Sequence, residues 1–417
     1  MLEGVAMETI PLLNEKRIVL GITGGIAAYK VCSVASHLTQ AGAEVDVVMT
    51  EAARRFLGPL TLEALTGRPS YTSMWETAGG GLPTHIAHVG LGHAADLVVI
   101  APTTANTLAK LAHGVADNLL TTLVLAARRP LLLAPAMDVG MWAHPATQAN
   151  AQTLRRRGVH FAGPARGRMA SGLEGEGRMV EPDEIIGAIR RVLGLHGPLE
   201  GRRVVVSAGP TREFLDPVRF LSNPSTGRQG AALAQAAIDR GAQVTLVRGL
   251  CQVSTPVGAE AEDVGTAREM RDAVLEASAD ADVLLMAAAV VDYGPVEMGT
   301  HKMKKSPDDL TLHLARTPDI LEAVADRRAK TGRPRVVVGF AAETEAVAEN
   351  AAEKLHKKNL DLIVGNDVSQ PDSGFAVETN RVILMDKDGR VERLPLMSKS
   401  AVAERVLGRV VDLLAAA

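Results

Sequence analysis

Residues 204–230, VVVSAGPTREFLDPVRFLSNPSTGRQG, constrain the fold more than any other stretch. The apolar run Val204–Val206 reads as a buried strand. Ser207-Ala208-Gly209-Pro210 then forms a turn with no room for a helix. Ser225-Thr226-Gly227-Arg228-Gln229-Gly230 opens a helical pattern, AALAQAAIDRGA. Glycines at such a strand-to-helix join let an anion reach backbone N–H groups, and the helix dipole favours that anion. Between strand and helix lie Pro224 and the polar residues Thr211, Arg212, Glu213, Asp216, Arg219 and Asn223, a richer set than a connector requires. By spacing alone, an ordinary turn with a decorated loop explains the stretch as well as a phosphate site does.

A similar unit opens the chain. Arg17–Ile22 reads as a strand, Thr23-Gly24-Gly25-Ile26-Ala27-Ala28 starts a helix to about Gln40, and Val45–Met49 gives a second strand. This β-loop-α-β unit can hold a phosphate at its first turn. It lacks the full G-x-G-x-x-G pattern, and Thr50 stands where an acidic ribose-binding residue would end the second strand. A mononucleotide such as FMN fits that better than a dinucleotide. A further strand, Ala95–Ile100, leads into Pro102-Thr103-Thr104-Ala105-Asn106-Thr107, and Leu131–Leu133 leads into 134–142, APAMDVGMW. Small polar residues at the carboxyl ends of strands mark the ligand edge of an open α/β sheet. Three such turns on one edge favour a flavin pocket.

The length of 417 residues fits two domains of about 200. With 47% hydrophobic but only 3% aromatic residues, the cores are built of Val, Leu, Ala and Ile, as in parallel sheets. The net charge of −3 gives no field for nucleic acid or a membrane surface. Two cysteines, Cys32 and Cys251, make no disulfide framework. With neither a signal-peptide pattern nor a run of about 18 apolar residues, a soluble cytoplasmic protein is expected. Residues 1–14 read as a loose lead-in. A helix from Glu181 to about Leu195 is broken by His196–Gly201, which sets domains at 15–197 and 198–417. The expected fold is α/β, with two Rossmann-like domains, each a mainly parallel sheet flanked by helices.

In the second half, Val283–Met286 reads as a strand with Asp292 just beyond its end. The segment 299–306 holds Lys302, Lys304 and Lys305 between Gly and Pro. Three lysines so close usually make a solvated surface, and they also suit a triphosphate. Thr317 and Pro318 read as N-cap and first residue of a helix. Val336–Gly339 is a strand ending at Phe340, an aromatic able to stack on a base. Lys354 and Lys358 share one face of the helix from Val347. Arg381–Met385 and Val391–Leu396 read as a hairpin, and a last helix follows Ser398. There is no G-x-x-x-x-G-K-[ST], which argues against a P-loop kinase.

The string SAGPTRE…LDPVRFLSN…STG resembles the CTP-dependent phosphopantothenate–cysteine ligases. GGIAAYK, THI (84–86), PTTANT and PAM…MW resemble the flavin-dependent cysteine decarboxylases. From about Lys16 to the C-terminus the chain therefore resembles the bifunctional phosphopantothenoylcysteine decarboxylase/phosphopantothenate–cysteine ligase family of coenzyme A biosynthesis. The resemblance implies FMN bound by Gly24, Gly25, Ile26, Ala27, Thr50, Thr104 and Asn106, and His85 as the catalytic histidine. By its residues alone His85 reads as a surface histidine. The resemblance also implies substrate contacts from Asn118, Met137 and Asp138. For the ligase it implies Asn223 at the activated carbonyl, Lys302 at the developing phosphate charge, and CTP bound by Asp292, Lys302, Pro318, Asp319, Ile320, Leu321, Phe340, Lys354 and Lys358. Mg²⁺ would bridge the phosphates, with ligands the sequence does not name, and a homo-oligomer is expected.

Two residues depart from the family pattern. Asp138 replaces an asparagine that contacts the substrate carboxylate, and two facing carboxylates repel. Ser171 replaces a proton-donating cysteine in a Gly-rich flap, and a hydroxyl is a weaker acid than a thiol. These departures motivate one alternative, an active ligase joined to a flavin half impaired in decarboxylation. A flavin prenyltransferase fused to an oxidoreductase is a second, disfavoured by the lysine loop and Phe340.

Overall fold

The computed structural model describes residues 9–75, 81–304, 309–370, 372–374 and 376–416. The chain divides into two compact units, 1–194 and 195–417.

The first unit contains β1 (Arg17–Ile22), α1 (Val31–Gln40), β2 (Glu44–Met49), α2 (Pro59–Thr66), β3 (Ser70–Tyr71), α3 (Ala87–Ala94), β4 (Leu97–Thr103), α4 (Ala105–His113), α5 (Leu119–Ala126), β5 (Leu131–Pro135), α6 (Val139–Ala143), α7 (Pro145–Arg156), β6 (His160–Phe161), β7 (Ala165–Arg168), β8 (Glu174–Arg178) and α8 (Pro182–Gly194). Its sheet runs β3-β2-β1-β4-β5-β6 with every pairing parallel. All of β4 is buried, as a strand covered on both faces must be. The strand order reverses between β1 and β4, and a crevice opens at such a reversal. Residues 9–14, expected to be loose, are seated instead. Leu13 is fully buried, and the Ile10 N–H donates to the Ala41 carbonyl at 3.1 Å. One buried leucine with a backbone bond to the end of α1 outweighs the entropy of a short free lead-in.

The second unit contains β9 (Arg203–Ala208), β10 (Arg212–Phe214), β11 (Phe220–Ser222), α9 (Arg228–Ile238), β12 (Gln243–Arg248), β13 (Ala259–Asp263), α10 (Ala267–Ala277), β14 (Val283–Met286), β15 (Tyr293–Pro295), β16 (Leu314–Arg316), α11 (Ile320–Thr331), β17 (Val336–Glu343), α12 (Val347–Lys357), β18 (Leu362–Asp367), β19 (Thr379–Asn380), β20 (Val382–Asp386), β21 (Val391–Arg393), β22 (Met397–Ser398) and α13 (Lys399–Ala416). The sheet order is β13-β12-β9-β14-β17-β18-β20-β21. It is parallel as far as β18, and the last two strands run antiparallel. Alternation along the central strands buries both faces. Val204, Val206, Val336 and Val338 enter the core with α9 and α13, while Val205 and Val337 enter the core with α10, α11 and α12. The order reverses between β9 and β14, the counterpart of the first unit's switch. Both units are thus Rossmann-like, each a mainly parallel sheet flanked by helices. Among the described residues no helix is long and apolar enough to cross a membrane.

Two local expectations differ. Asp319, not Thr317, caps α11, accepting from the Glu322 N–H at 3.0 Å. Thr317 faces the other way, its hydroxyl donating to the Val291 carbonyl at 2.6 Å, so it pins the turn after β14. Phe340 lies within β17, which runs on to Glu343.

Candidate functional site

In the first unit the switch is stitched by one hydroxyl. Thr23 Oγ1 donates to the Pro102 carbonyl at 2.6 Å and accepts from the Thr104 N–H at 3.2 Å. The ends of β1 and β4 are thereby held together. Thr104 caps α4, accepting from the Thr107 N–H, and Asn106 is exposed in its first turn. Thr50 closes β2, its N–H donating to the Ile22 carbonyl at 3.0 Å. A Cβ on Gly24 would stand 2.5 Å from the Ala52 Cβ, so close approach requires glycine there. A Cβ on Gly25 would meet nothing within 4 Å. The turn is therefore tight against its own sheet and open outward, with a 3-10 turn starting at Ile26 and 65% of Ile26 exposed. Such an open cradle of backbone beside an exposed apolar residue fits a flavin mononucleotide: phosphate on the N–H groups, ring on the apolar surface.

The other first-unit residues fall in two places. His85 is exposed on the segment before α3. Asn118 caps α5, its oxygen accepting from the Thr121 N–H at 3.1 Å and its amide donating to Asp117 at 2.8 Å. Met137 and Asp138 lie under the hairpin β7–β8. The Met137 N–H donates to the Gly177 carbonyl at 2.9 Å. Gly177 has φ +142, and a Cβ on it would come within 2.5 Å of the Met137 carbonyl oxygen. In the loop that joins the two strands of the hairpin, Ser171 Oγ donates to Asp138 Oδ2 at 2.6 Å, and Asp138 Oδ1 accepts from the Gly140 N–H at 3.1 Å. The Ser171 bond, then the Gly140 N–H, hold the Asp138 carboxyl below the usual range. The two residues that depart from the family pattern therefore bond to each other.

In the second unit a cavity of about 930 Å³ opens at the carboxyl edge of the sheet. It is lined by Asn223 and the first turn of α9, by Ala287–Val290 and Asp292 after β14, and by Pro318, Asp319, Ile320 and Leu321. Phe340, Lys354 and Lys358 complete the set that sequence reasoning named, apart from Lys302. Asn223 Nδ2 donates to the carbonyls of Ala289 and Val290 at 3.2 and 3.1 Å, which ties the β11 loop to the β14 turn. Lys354 Nζ donates to the Phe340 carbonyl at 2.9 Å. Burial lowers its pKa from the ordinary lysine value, against the pull of Glu343, Asp292 and Asp319. Lys358 bonds Asp319 at 2.5 Å. Burial alone would raise the Asp319 pKa, but Lys358 and the Glu322 N–H hold it below the ordinary value.

Lys302 is exposed and does not line the cavity. Its neighbour is anchored: the Met303 N–H donates to Asp216 at 3.0 Å, and Arg219 donates to the Met303 carbonyl at 3.0 Å. Asp216 is fully buried. Its burial opposes ionisation, yet the N–H groups of Met303, Val218 and Arg219 keep its pKa low. Lys305 and Ser306 lie outside the described residues.

The Flavoprotein family model matches residues 9–194, and that of the DNA/pantothenate metabolism flavoprotein C-terminal domain matches 199–414. The coenzyme A biosynthesis bifunctional protein CoaBC of Bacillus subtilis is 44% identical over 405 residues, covering 96% of this chain and 98% of the relative. The chain belongs to the CoaBC family. The Vibrio cholerae member is 45% identical over 397 residues, covering 95% of this chain and 98% of the relative. A crystal structure of a CoaBC C-terminal domain has 36% identity and a TM-score of 0.45, covering 53% of this chain and 100% of that one. With its family the chain is a bifunctional flavoprotein of coenzyme A biosynthesis, a decarboxylase and a ligase.

Some cavity residues escaped sequence reasoning: Arg316, Lys357, Asn380 and Lys399. They come from strand and helix ends far apart in the chain, and no local motif marks them. Only the Ser-Lys pair that opens the last helix could have drawn notice, since a lysine at a helix N-terminus opposes the dipole.

Proposed function

We propose that residues 195–417 ligate 4′-phosphopantothenate to cysteine with CTP, and that residues 1–194 decarboxylate the product with FMN. The observation that carries the ligase reading is the charge of the cavity. Its lining cations Arg228, Arg316, Lys354, Lys357, Lys358 and Lys399 outnumber its acids Asp292, Asp319 and Glu322, in a chain whose net charge is −3. A cationic pocket within an acidic protein suits a polyphosphate.

A carboxylate oxygen of the acid attacks the α-phosphorus of CTP, the bond to the β-phosphate oxygen breaks, and pyrophosphate leaves. The amine of cysteine then attacks the acyl carbon and CMP departs. Asn223 fixes the β14 turn beneath the reacting acid. Phe340 offers an apolar face to the base, and Lys354 and Lys358 stand by ribose and phosphate. Lys302 stands outside the cavity on its anchored loop, so its role at the charge that develops on phosphate rests on the family resemblance. Among the described residues no group of three or more His, Cys, Asp or Glu could hold a metal. Mg²⁺ would travel with the phosphates, keeping phosphate oxygens and waters as its main ligands, a common arrangement for this ion.

In the first unit, FMN when bound supplies a two-electron acceptor for the substrate's thiol-bearing carbon. The turn 24–27 and Thr104 hold its phosphate, with Thr50 and Asn106 at the crevice rim. His85 takes the thiol proton, work suited to an imidazole. Asn118 and Met137 position the substrate under the hairpin that Asp138 and Ser171 close. The protein acts in the cytoplasm as a homo-oligomer.

The test supplies the full chain with 4′-phosphopantothenate, cysteine, CTP and Mg²⁺ and follows pyrophosphate and CO₂ separately. Both should appear, with flavin absorbance in the pure protein. No pyrophosphate would overturn the ligase reading. Pyrophosphate without CO₂ would establish the alternative, an impaired flavin half. An undiminished rate with ATP in place of CTP would remove the nucleotide assignment.

A further inference from the structure

We propose that Arg228 and Lys399 form a phosphate-binding subsite in the second unit's cavity, separate from the Lys354–Lys358 cluster. Its ligand is a phosphoryl group, from either the nucleotide or the phosphorylated acid. The subsite rests on the ligase reading but not on the choice of nucleotide.

Lys399 opens α13 and is only 6% exposed, yet it stands on the cavity wall. Arg228 opens α9 and stands on the same wall. The charges of Arg228 and Glu378 both act on Lys399. Glu378 already bonds Arg228 at 2.9 Å, and its side chain is 75% exposed. Two cations, one of them buried, thus stand close together beside a solvated carboxylate. Burial first, and then the Arg228 charge, push the Lys399 ammonium down to about 8. The Lys354 cluster has a different electrostatic neighbourhood, made of Glu343, Asp292, Asp319 and Lys358.

The wall that carries the pair is held in place. Gln229 Nε2 donates to the Lys399 carbonyl at 3.2 Å, and Asn380 Nδ2 donates to Gln229 Oε1 at 3.2 Å. Asn380 Oδ1 accepts from the Gly374 N–H at 3.0 Å. The Lys399 N–H donates to the Glu378 carbonyl at 3.0 Å. These bonds join the first turn of α9, the segment around β19 and the start of α13, so the two like charges are kept together by the fold. A doubly charged phosphate between an ammonium and a guanidinium relieves their repulsion and the cost of burial at once. The amides of Gln229 and Asn380 bond to backbone and to each other, so they order the wall that carries the two cations.

Calorimetric titration of the full chain with inorganic pyrophosphate, CTP and 4′-phosphopantothenate tests the subsite. Arg228→Gln, Lys399→Met and the charge-keeping Lys399→Arg are compared with the unmodified chain. Lys399→Met and Arg228→Gln should each weaken at least one ligand by about 10–100-fold, the size of a charged hydrogen bond. Lys399→Arg should recover part of that loss. Loss for CTP and pyrophosphate together assigns the phosphate to the nucleotide, and loss for 4′-phosphopantothenate alone assigns it to the acid. Should Lys399→Met fail to fold, Arg228→Gln at its partly exposed position carries the test. Unchanged affinities for all three ligands in a chain that binds them normally overturn the subsite alone. A chain that binds none of them before substitution overturns the subsite and the ligase reading together.

Discussion

At the switch between β1 and β4, a threonine hydroxyl links two strand ends, and the turn beside it is threonine, glycine, isoleucine and alanine without a charge. At the switch between β9 and β14, an asparagine amide does the linking through Ala289 and Val290, and the wall around it is crowded with lysine and arginine. The two units share a topology, place their crevices at the same point of it, and fill those crevices with opposite chemistry. A cofactor that stays bound needs backbone N–H groups and shape. A polyphosphate that arrives and leaves at each turnover needs mobile countercharge, which side-chain cations supply.

The comparison predicts separable defects, and the largest follows Asn223→Asp. An ionised carboxylate would face two carbonyl oxygens now served by an amide N–H₂. An unsatisfied charged contact of that kind costs several kcal/mol, so pyrophosphate release should fall by about 10²-fold or more. Decarboxylation of supplied 4′-phosphopantothenoylcysteine should continue unchanged. Equal loss of both would break the division of labour between the crevices.

Next in size is a matched pair of glycine substitutions. A Cβ on Gly24 stands 2.5 Å from the Ala52 Cβ, and one on Gly230 stands 2.4 Å from the Ala208 Cβ. Overpacking of this sort costs about 1–3 kcal/mol and lowers a domain's melting temperature by roughly 2–10 °C. Gly24→Ala should reduce flavin absorbance and spare pyrophosphate release, and Gly230→Ala should do the reverse. A single variant that lowers both would show the crevices to be coupled.

A pH effect of opposite sign on binding and on stability sharpens the same contrast. Lys399 titrates near about 8 in the folded chain, below the ordinary lysine value of about 10.4. Between those values the unfolded chain binds more protons than the folded one. This group's contribution to stability therefore rises with pH across the window, while its attraction for phosphate is lost. Affinity for the ligand whose phosphate the subsite holds, CTP or 4′-phosphopantothenate, should fall several-fold from pH 7 to pH 9, and that fall should shrink in Lys399→Met. Affinities for both ligands that do not change with pH would remove Lys399 from the binding surface. FMN affinity, resting on backbone groups, should barely move over the same range.

Much of this was legible in the sequence because it lay in contiguous strings. Val204–Val206 and the turn after it gave the strand and the ligand edge, and Pro318–Leu321, Phe340, Lys354 and Lys358 do converge on one cavity. What stayed hidden depends on contacts between distant segments. Thr317 looked like a cap because a threonine before proline has that form, yet its hydroxyl serves Val291, a partner 26 residues away. Leu13 looked like part of a loose lead-in because six residues carry no period, yet one buried side chain holds them. Lys399 and Arg228 are separated by most of the second unit, and only the fold makes them neighbours.

The smallest effect concerns the hairpin of the first unit, where the sequence pointed to Ser171 as a weak substitute for a thiol. The structure gives that hydroxyl another task. Its proton is donated to Asp138, whose carboxyl is held ionised by this bond and by the Gly140 N–H. A proton shared with a carboxylate is poorly placed for delivery to substrate, which favours a fastening role for Ser171 in the hairpin and another proton donor for the reducing step. Ser171→Ala should then leave product formation within about threefold, while amide exchange over 165–178 speeds up by no more than about fivefold, since the bond is exposed. Asp138→Asn should speed that exchange by a similar factor, and the double variant should add nothing, because the two side chains contribute one interaction. Ser171→Cys brings a group with a pKa of about 8.5, so it should raise the yield of reduced product per CO₂ released. Hydrogen-exchange mass spectrometry and a product-to-CO₂ ratio read these outcomes together. If Ser171→Ala stops reduced product while exchange in the hairpin stays the same, the hydroxyl is the proton donor and the fastening role falls.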